Sequence, residues 1–502
     1  MNISLVLQMA ADTFPDRIAL TSADVHYSYG RLNSSAQAAA ELIARSGAGY
    51  VSYLGESSAA TVIALFGAAM AGVPFAPLNY RLTPAETNRL LERLNPVFLI
   101  ADEDKVGIVA EGVSAALMTP AQLIEATAQG ASAEIEVPED PEAVAVQLFT
   151  SGTTGEPKAA LLRNQNLLGY ILGTIDFASA DEEEAMLMSV PPYHIAGISA
   201  ILSSIYAMRR IVQLPQFSPT EWLRHCAEQS VTNAFVVPTM LTRIIAHIDE
   251  TGAQPELPAL RALAFGGGKM PLPIVQRALT LWPTVSFTNA YGLTETSSTI
   301  ALLGPDDHRE AHNHSDPLIA RRLDSVGKPL PTVEVEIRAE DGTVLGPNEL
   351  GEVYVRGPQV SGEYQGRKLT DDDGWFPTRD SGFIDDHGFL FLAGRIDDVV
   401  VRGGENISPG EVEAVLRESD GVEDVAIVGV PSVEWGETLA AAVVRKAHAS
   451  VTKEALQALV RGKLRSSRVP EHILFVESLP YNDLGKLLRR EVKGFFPGDA
   501  PD

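Results

Sequence analysis

The stretch LFTSGTTGEPKAALL, residues 148–162, concentrates hydroxyls, glycines and one lysine where an apolar run has just ended. Thr150, Ser151, Thr153 and Thr154 bring hydroxyl donors, and Gly152 and Gly155 let the backbone curl until successive N–H groups point at one anion; Lys158 adds a positive charge. This chemistry suits a polyphosphate. It departs from the P-loop pattern GxxxxGK[ST], because Pro157 precedes the lysine and Ala159 follows it. A kinase or ordinary P-loop NTPase is therefore disfavoured. The alternative is a polar hairpin turn between the apolar segments QLF and AALL.

Other segments carry reactive residue types whose meaning depends on company. NAYGLTETS (289–297) sets an aromatic ring four residues before Glu295, and WFPTRDSG (375–382) contains Asp380. PYNDLGKLLRR (480–490) offers Lys486, PPYHIAGI (191–198) offers His194, and AFGGGKMP (264–271) brings Gly266, Gly267 and Gly268 together. Taken singly, Asp380 reads as a turn residue, Lys486 as a solvated lysine and His194 as a core or surface histidine. His308, His312 and His314 in HREAHNHSDP have a metal-like spacing, but with no accompanying signature they read as a surface insertion.

The elements that must position these residues follow from length and pattern. At 502 residues the chain calls for a large core and at least one further domain. Apolar runs of strand length, AVAVQLF at 143–149 and RALAF at 261–265, alternate with helical patterns such as EWLRHCAEQS at 221–230, which predicts an α/β protein. The uncharged stretch from Ala60, ATVIALFGAAMAGVPFAPLN, approaches membrane-spanning length, but its glycines and prolines suit a buried helix followed by a buried strand. After Gly394 the texture becomes charged and glycine-rich before further helix and strand patterns. This places a boundary near Arg395, with domains at 1–394 and 395–502 and the second of α+β type.

A formal charge of −26 argues against nucleic acid or anionic lipid as a partner. The single cysteine, Cys226, excludes an internal disulfide and any thiol-built metal cluster, which fits a reducing compartment. The opening MNISLVLQMAADTFPDR is a poor secretory signal, so a cytoplasmic location is expected.

With these segments in order, and with FPDRIAL (14–20) and YSYGRLN (27–33) near the start, the chain resembles the adenylate-forming superfamily over nearly its whole length. That family includes acyl- and aryl-CoA synthetases, amino-acid-activating adenylation domains and luciferases. The resemblance implies a large N-terminal domain of several subdomains and a small mobile C-terminal domain. It also implies ATP, Mg²⁺ and a thiol: a carboxylate attacks the α-phosphate of ATP to give an acyl-adenylate and pyrophosphate, and the thiol then displaces AMP.

Carried over position by position, the resemblance assigns Thr150, Ser151, Gly152, Thr153, Thr154, Gly155 and Lys158 to the phosphates. Asn289, Ala290, Tyr291 and Gly292 border the adenine, Thr294 contacts phosphate and Glu295 holds Mg²⁺, a hard ion that needs few protein oxygens. Asp380 accepts from the ribose hydroxyls; Arg379 stands before it where the family more often has glycine. Arg395 contacts ribose or phosphate, and Asp397 is the hinge. Gly403 and Gly404 flank the thiol channel, and Lys486 closes over the first half-reaction. His194 borders the acyl pocket, with Gly266, Gly267 and Gly268 forming its wall, while the orientation of Lys269 stays open.

Amino-acid-activating relatives place an aspartate shortly after the histidine motif. HIAGISAILSSIYAM has none, which favours an apolar or aromatic carboxylic acid. The chain ends soon after Lys486 without a carrier domain, so CoA or a separate acyl carrier protein must bring the thiol. Arg461, Lys463, Arg465 and Arg468 are candidates to meet CoA phosphates, against the plainer reading of a solvated face. The expected activity is an AMP-forming acyl- or aryl-CoA ligase, with a homodimer as the candidate assembly. A stand-alone enzyme that loads a carrier protein would not need CoA for AMP release. A non-catalytic nucleotide or acyl sensor would have little reason to keep Lys158, Glu295, Asp380, Arg395 and Lys486 together.

Overall fold

In the computed structural model, which describes residues 1–496 apart from 111, 113, 133, 134, 151–156, 253–255, 404, 433, 483 and 484, the long uncharged stretch is no membrane span. It forms the helix Ala59–Ala71, ended by Gly72 at φ 71°, and twelve of its thirteen residues are buried. Gly67 lets it lie close on the helix Tyr29–Ser46, since a Cβ there would stand 2.7 Å from that of Ala39. Full burial of Val62, Ile63, Leu65 and Phe66 contributes about 1.5–3 kcal/mol each. The chain then runs extended through Phe75, which bridges Val51 on one side and Val146 on the other. The expected buried strand is thus a single stitch between two sheets. No helix among the described residues is long and apolar enough to cross a membrane.

The protein folds as two compact units. The first comprises residues 1–323, 327–334 and 355–376. Its nine-stranded sheet has six neighbouring parallel strands, in the order Ser286–Leu293, Ala262–Gly266, Asn233–Val236, Ala185–Met188, Arg210–Gln213 and Ile18–Ser22. Antiparallel strands close both edges. Crossover helices such as Pro219–Glu228 and Pro238–Thr251 connect the parallel strands, as an α/β reading requires. A second layer joins the parallel strands Tyr50–Leu54, Val97–Ala101 and Ser114–Met118, and the antiparallel strands Val144–Thr150 and Lys158–Arg163.

The second unit takes in residues 324–326, 335–354 and 377 onward. The chain around Arg395 lies inside it, so the contact-defined unit begins before the change of sequence texture. The strands Val422–Ser432 and Gly436–Arg445 form its long antiparallel pair, with His472–Val476 added in parallel. The helices Pro409–Arg417 and Lys453–Lys463 bury Val412, Leu416, Leu456 and Val460 in its core.

The buried Glu413 accepts the Ile427 N–H at 2.9 Å and pairs with Arg489, which also reaches Asp398 at 3.2 Å. Burial alone would depress the Arg489 guanidinium, but Glu413 and Asp398 outweigh it and raise its pKa.

One histidine departs from the expected surface insertion: His308 is buried, whereas His312 is half-buried and His314 is exposed. Pro305 and two aspartates start a helix, Pro305–Asn313, that turns His308 and Ala311 inward. His308 is 1% exposed and meets Phe265 edge-on, with ring centroids 5.7 Å apart. Its Nδ1–H donates to the Gly304 carbonyl, and burial pushes its pKa down.

Candidate functional site

Three segments far apart in sequence reach the same edge of the first unit because parallel strands carry them there. His194 follows the strand Ala185–Met188; Gly266 ends the strand Ala262–Gly266, with Gly267 and Gly268 after it; and Tyr291 lies near the end of the strand Ser286–Leu293, with Thr294 and Glu295 just beyond. The carboxyl ends of parallel strands form the crevice where α/β sheets hold ligands. Gly266 pairs with Ala290, and a Cβ on Gly266 would lie 2.2 Å from the Ala290 carbonyl oxygen. That close strand approach alone requires glycine. Gly267 takes φ 85°, and Gly267, Gly268 and Lys269 are exposed, so Lys269 faces solvent.

His194 caps the helix Ile195–Ala207, and its ring lies 4.4 Å from that of Tyr193, which meets Tyr80 edge-on. The helix carries no acidic residue and buries Ile198, Ile201, Leu202 and Ile205. Ser199 donates to the Ser297 carbonyl at 3.4 Å, tying this helix to the turn after Glu295.

The strands Val144–Thr150 and Lys158–Arg163 are antiparallel, with Thr150 opposite Lys158. The segment between them therefore joins two strands, unlike a P-loop, which leads into a helix. Ser151, Gly152, Thr153, Thr154 and Gly155 lie outside the described residues. Thr150 Oγ1 donates to the Lys158 carbonyl at 3.4 Å, and the exposed Lys158 Nζ stands 5.8 Å from the centre of the Tyr364 ring. Arg93 donates to the Pro157 carbonyl at 2.8 Å, fixing the return of the loop.

Thr294–Thr296 form a single 3₁₀ turn. Thr296 Oγ1 accepts the Leu293 N–H at 3.0 Å, and Gln359 Nε2 donates to the Thr296 and Thr299 carbonyls at 3.1 and 2.7 Å. The Glu295 carbonyl accepts the N–H groups of Ser361 and Gly362, each at 2.9 Å, and the Tyr364 hydroxyl donates to Glu295 Oε1. The site thus offers a fixed carboxylate and a neighbouring Thr294 hydroxyl, hard oxygen donors that fit Mg²⁺. Among the described residues no group of three or more His, Cys, Asp or Glu is placed to hold a metal ion.

Within the second unit, Asp380 is 8% exposed and pairs with Arg395, Oδ1 to Nη1 at 3.2 Å, directly across a strand pair. Arg379 takes φ 62° and reaches Asp397 Oδ1 at 2.7 Å. The hydrogen bond to Asp397 raises its pKa further. Gly403 takes φ 57° and donates to the Trp435 carbonyl at 2.9 Å, while Gly404 lies outside the described residues. Lys486 is exposed on a tight loop, its N–H held by Asn482 Oδ1 at 2.8 Å and its carbonyl by the Asn482 N–H at 2.9 Å.

The basic run is largely paired: Lys463 with Glu418, Arg465 with Glu405 at 3.7 Å, and Arg468 with Glu405 and Glu411. Those pairs favour the solvated-face reading over a phosphate dock. The thiol of Cys226 is buried, which pushes its pKa up and removes it as a nucleophile.

Sequence reasoning missed Tyr364, Gln359 and Arg93, the residues that hold Glu295 and the loop in place. No local sequence pattern marks them: Tyr364 acts through its pairing with Ala160, Arg93 from the end of the helix Pro84–Arg93, and Gln359 through the Thr296 and Thr299 carbonyls.

A parallel sheet with glycines and a fixed carboxylate at its carboxyl ends, together with an exposed lysine that starts the strand Lys158–Arg163, fits a nucleotide-handling α/β enzyme. Residues 7–365 match the family described as AMP-binding enzyme, and residues 411–486 match its C-terminal domain. The chain belongs to this family of adenylate-forming enzymes.

It is 36% identical over 428 residues to 2-succinylbenzoate–CoA ligase of Geobacillus kaustophilus, covering 84% of this chain and 82% of the relative. It is 31% identical to the fatty acid–[acyl-carrier-protein] ligase ScoC of Streptomyces coeruleorubidus, covering 90% and 87%. Among solved structures it resembles o-succinylbenzoate CoA synthetase of Bacillus subtilis in complex with its acyl-adenylate, at TM-score 0.82 and 29% identity, covering 99% of both chains. A structure of the same synthetase with ATP and a magnesium ion matches at TM-score 0.80 and 29% identity, covering 97% of this chain and 99% of that one.

Proposed function

We infer that the protein is an ATP-dependent acyl- or aryl-CoA ligase that works through an acyl-adenylate. The observation that carries the first half is the gathering of His194, Gly266–Gly268 and Tyr291–Glu295 at the carboxyl ends of one parallel sheet. Names of the relatives support the second half, because a CoA ligase aligns across both family domains.

In the first half-reaction a substrate carboxylate oxygen attacks the α-phosphorus and the bond to pyrophosphate breaks. Lys158 and the loop hydroxyls hold the phosphates, Tyr291 lies against the adenine, and Thr294 orients a phosphate oxygen. Glu295 holds Mg²⁺, which when bound neutralises charge on the departing pyrophosphate. Asp380 accepts from the ribose hydroxyls, and Arg395, held by Asp380, faces ribose or phosphate. Lys486 stabilises the charge reorganised between carboxylate and α-phosphate.

In the second half-reaction the thiol attacks the acyl carbon and AMP leaves. Residues 395–502 act as the mobile domain, turning about Asp397 so that the Gly403–Gly404 side replaces Lys486. The acid-free helix after His194 supports an apolar or aromatic acid over an amino acid. The chain works in the cytoplasm, and a homodimer is the assembly to test by light scattering. The carrier-protein alternative draws support from ScoC.

The test is AMP release from MgATP with fatty, cyclic and aromatic acids, each with and without CoA. CoA-dependent turnover on one acid class is expected. AMP release indifferent to CoA would transfer the second half to a carrier protein, and silence with every acid would contradict the ligase.

A further inference from the structure

Tyr364 lies on the short strand Glu363–Tyr364, paired antiparallel with the strand that begins at Lys158 and opposite Ala160. Alternate residues of a strand share a face, so Lys158 and Ala160 point the same way and Tyr364 reaches Lys158 diagonally. Its ring faces the Lys158 ammonium at 5.8 Å while its hydroxyl donates to Glu295 Oε1. The same segment holds the Glu295 carbonyl through Ser361 and Gly362, so backbone and carboxylate of Glu295 are both fixed from one side.

From this geometry we propose that Tyr364 is a positioning residue that sets the spacing between Lys158 and the carboxylate of Glu295, across which a metal–triphosphate is held. The proposal rests on the nucleotide half of the function inferred above. The hydroxyl fixes one carboxylate oxygen and thereby aims the other donor positions of Glu295. The ring restrains the ammonium by its π face, an effect that phenylalanine retains. Hydroxyl and ring therefore have separable consequences.

The test compares the full-length protein with its Tyr364→Phe, Tyr364→Leu and Glu295→Gln variants and the Tyr364→Phe/Glu295→Gln double variant. Mn²⁺ binding in the presence of a non-hydrolysable ATP analogue is read by the electron paramagnetic resonance of free Mn²⁺. Analogue binding without metal is read by calorimetry, and thermal midpoints confirm that each variant is folded.

Tyr364→Phe is expected to weaken Mn²⁺ roughly tenfold, the effect of one hydrogen bond to a charged group, and to leave metal-free analogue binding within twofold. Tyr364→Leu is expected to weaken both, and Tyr364→Phe is expected to add nothing once Glu295 is Gln. Unchanged Mn²⁺ affinity in Tyr364→Phe, or an equal extra loss in the Glu295→Gln background, would overturn the proposal. If the wild-type protein binds no analogue, the nucleotide reading itself fails, which is a different result from a wild type that binds and a Tyr364→Phe that matches it.

Discussion

Arg379 Nη2 stands 2.7 Å from Asp397 Oδ1, so the side chain just before Asp380, the residue proposed to meet the ribose, grips the residue proposed as the hinge. Arg379 does this from φ 62°, a backbone setting that glycine adopts freely and arginine adopts at a cost of about 1 kcal/mol or more. The pair is partly exposed, with 47% and 39% of the two side chains accessible, so its net worth is at most about 1 kcal/mol.

Strain and ion pair therefore nearly cancel. Arg379→Gly is expected to leave the unfolding free energy within about 1 kcal/mol of wild type, whereas Asp397→Ala loses the pair and keeps the strain. Arg379→Gly is further expected to change the rate of transfer to the thiol more than the rate of adenylation. Single-turnover assays of each half-reaction check this; equal changes in both would remove the link to hinge setting.

Lys486→Ala is expected to lower adenylate formation about a hundredfold or more while sparing transfer from a supplied acyl-adenylate to CoA. The lysine sits on a loop closed by Asn482, so removing its side chain leaves the loop's backbone bonds in place. Equal loss of both steps would refute its assigned role.

Asp380→Ala removes the acceptor assigned to the ribose hydroxyls and leaves the part-buried Arg395 without that partner at 3.2 Å. Weaker ATP binding and a loss of about 1–3 kcal/mol in stability are expected together. Calorimetric titration with ATP and denaturant unfolding measure the two; a variant with normal ATP affinity would remove Asp380 from the nucleotide site.

His308 links stability to pH. Its folded pKa is depressed by burial, while in the unfolded chain it titrates near the ordinary value of about 6.5. The unfolded state therefore binds the extra proton first, and its contribution to stability, complete above about pH 6.5, is lost as pH falls from there through the lower folded pKa. Thermal midpoints at pH 7.5 and 5.5 are expected to differ more for wild type than for His308→Phe. Equal differences would mean that the ring is protonated in the fold.

The sequence carried the α/β alternation and the order of the catalytic segments, because strand-length apolar runs and glycine–hydroxyl clusters are local patterns. It did not show that the segments of His194, Gly266 and Tyr291 leave the carboxyl ends of strands in one parallel sheet, since that depends on strand order. The resemblance makes Gly266 part of the acyl-pocket wall, and the structure supplies a further reason for glycine there in the Ala290 carbonyl. The burial of His308 is hidden by the polar composition of PDDHREAHN, because it follows the helix face that His308 shares with Ala311. Tyr364 was invisible for the same reason as the crevice: its meaning lies in a pairing with Ala160, 204 residues away by the numbering.

The central claim is passage through an acyl-adenylate, and the fate of an isotope tests it most directly. With an accepted acid labelled with ¹⁸O in its carboxylate, turnover with MgATP and CoA should place one ¹⁸O atom in the phosphate of AMP, because that oxygen bridges acyl carbon and α-phosphorus before the thiol displaces it. Label in inorganic phosphate, with ADP as the nucleotide product, would mean an acyl-phosphate and would contradict the account.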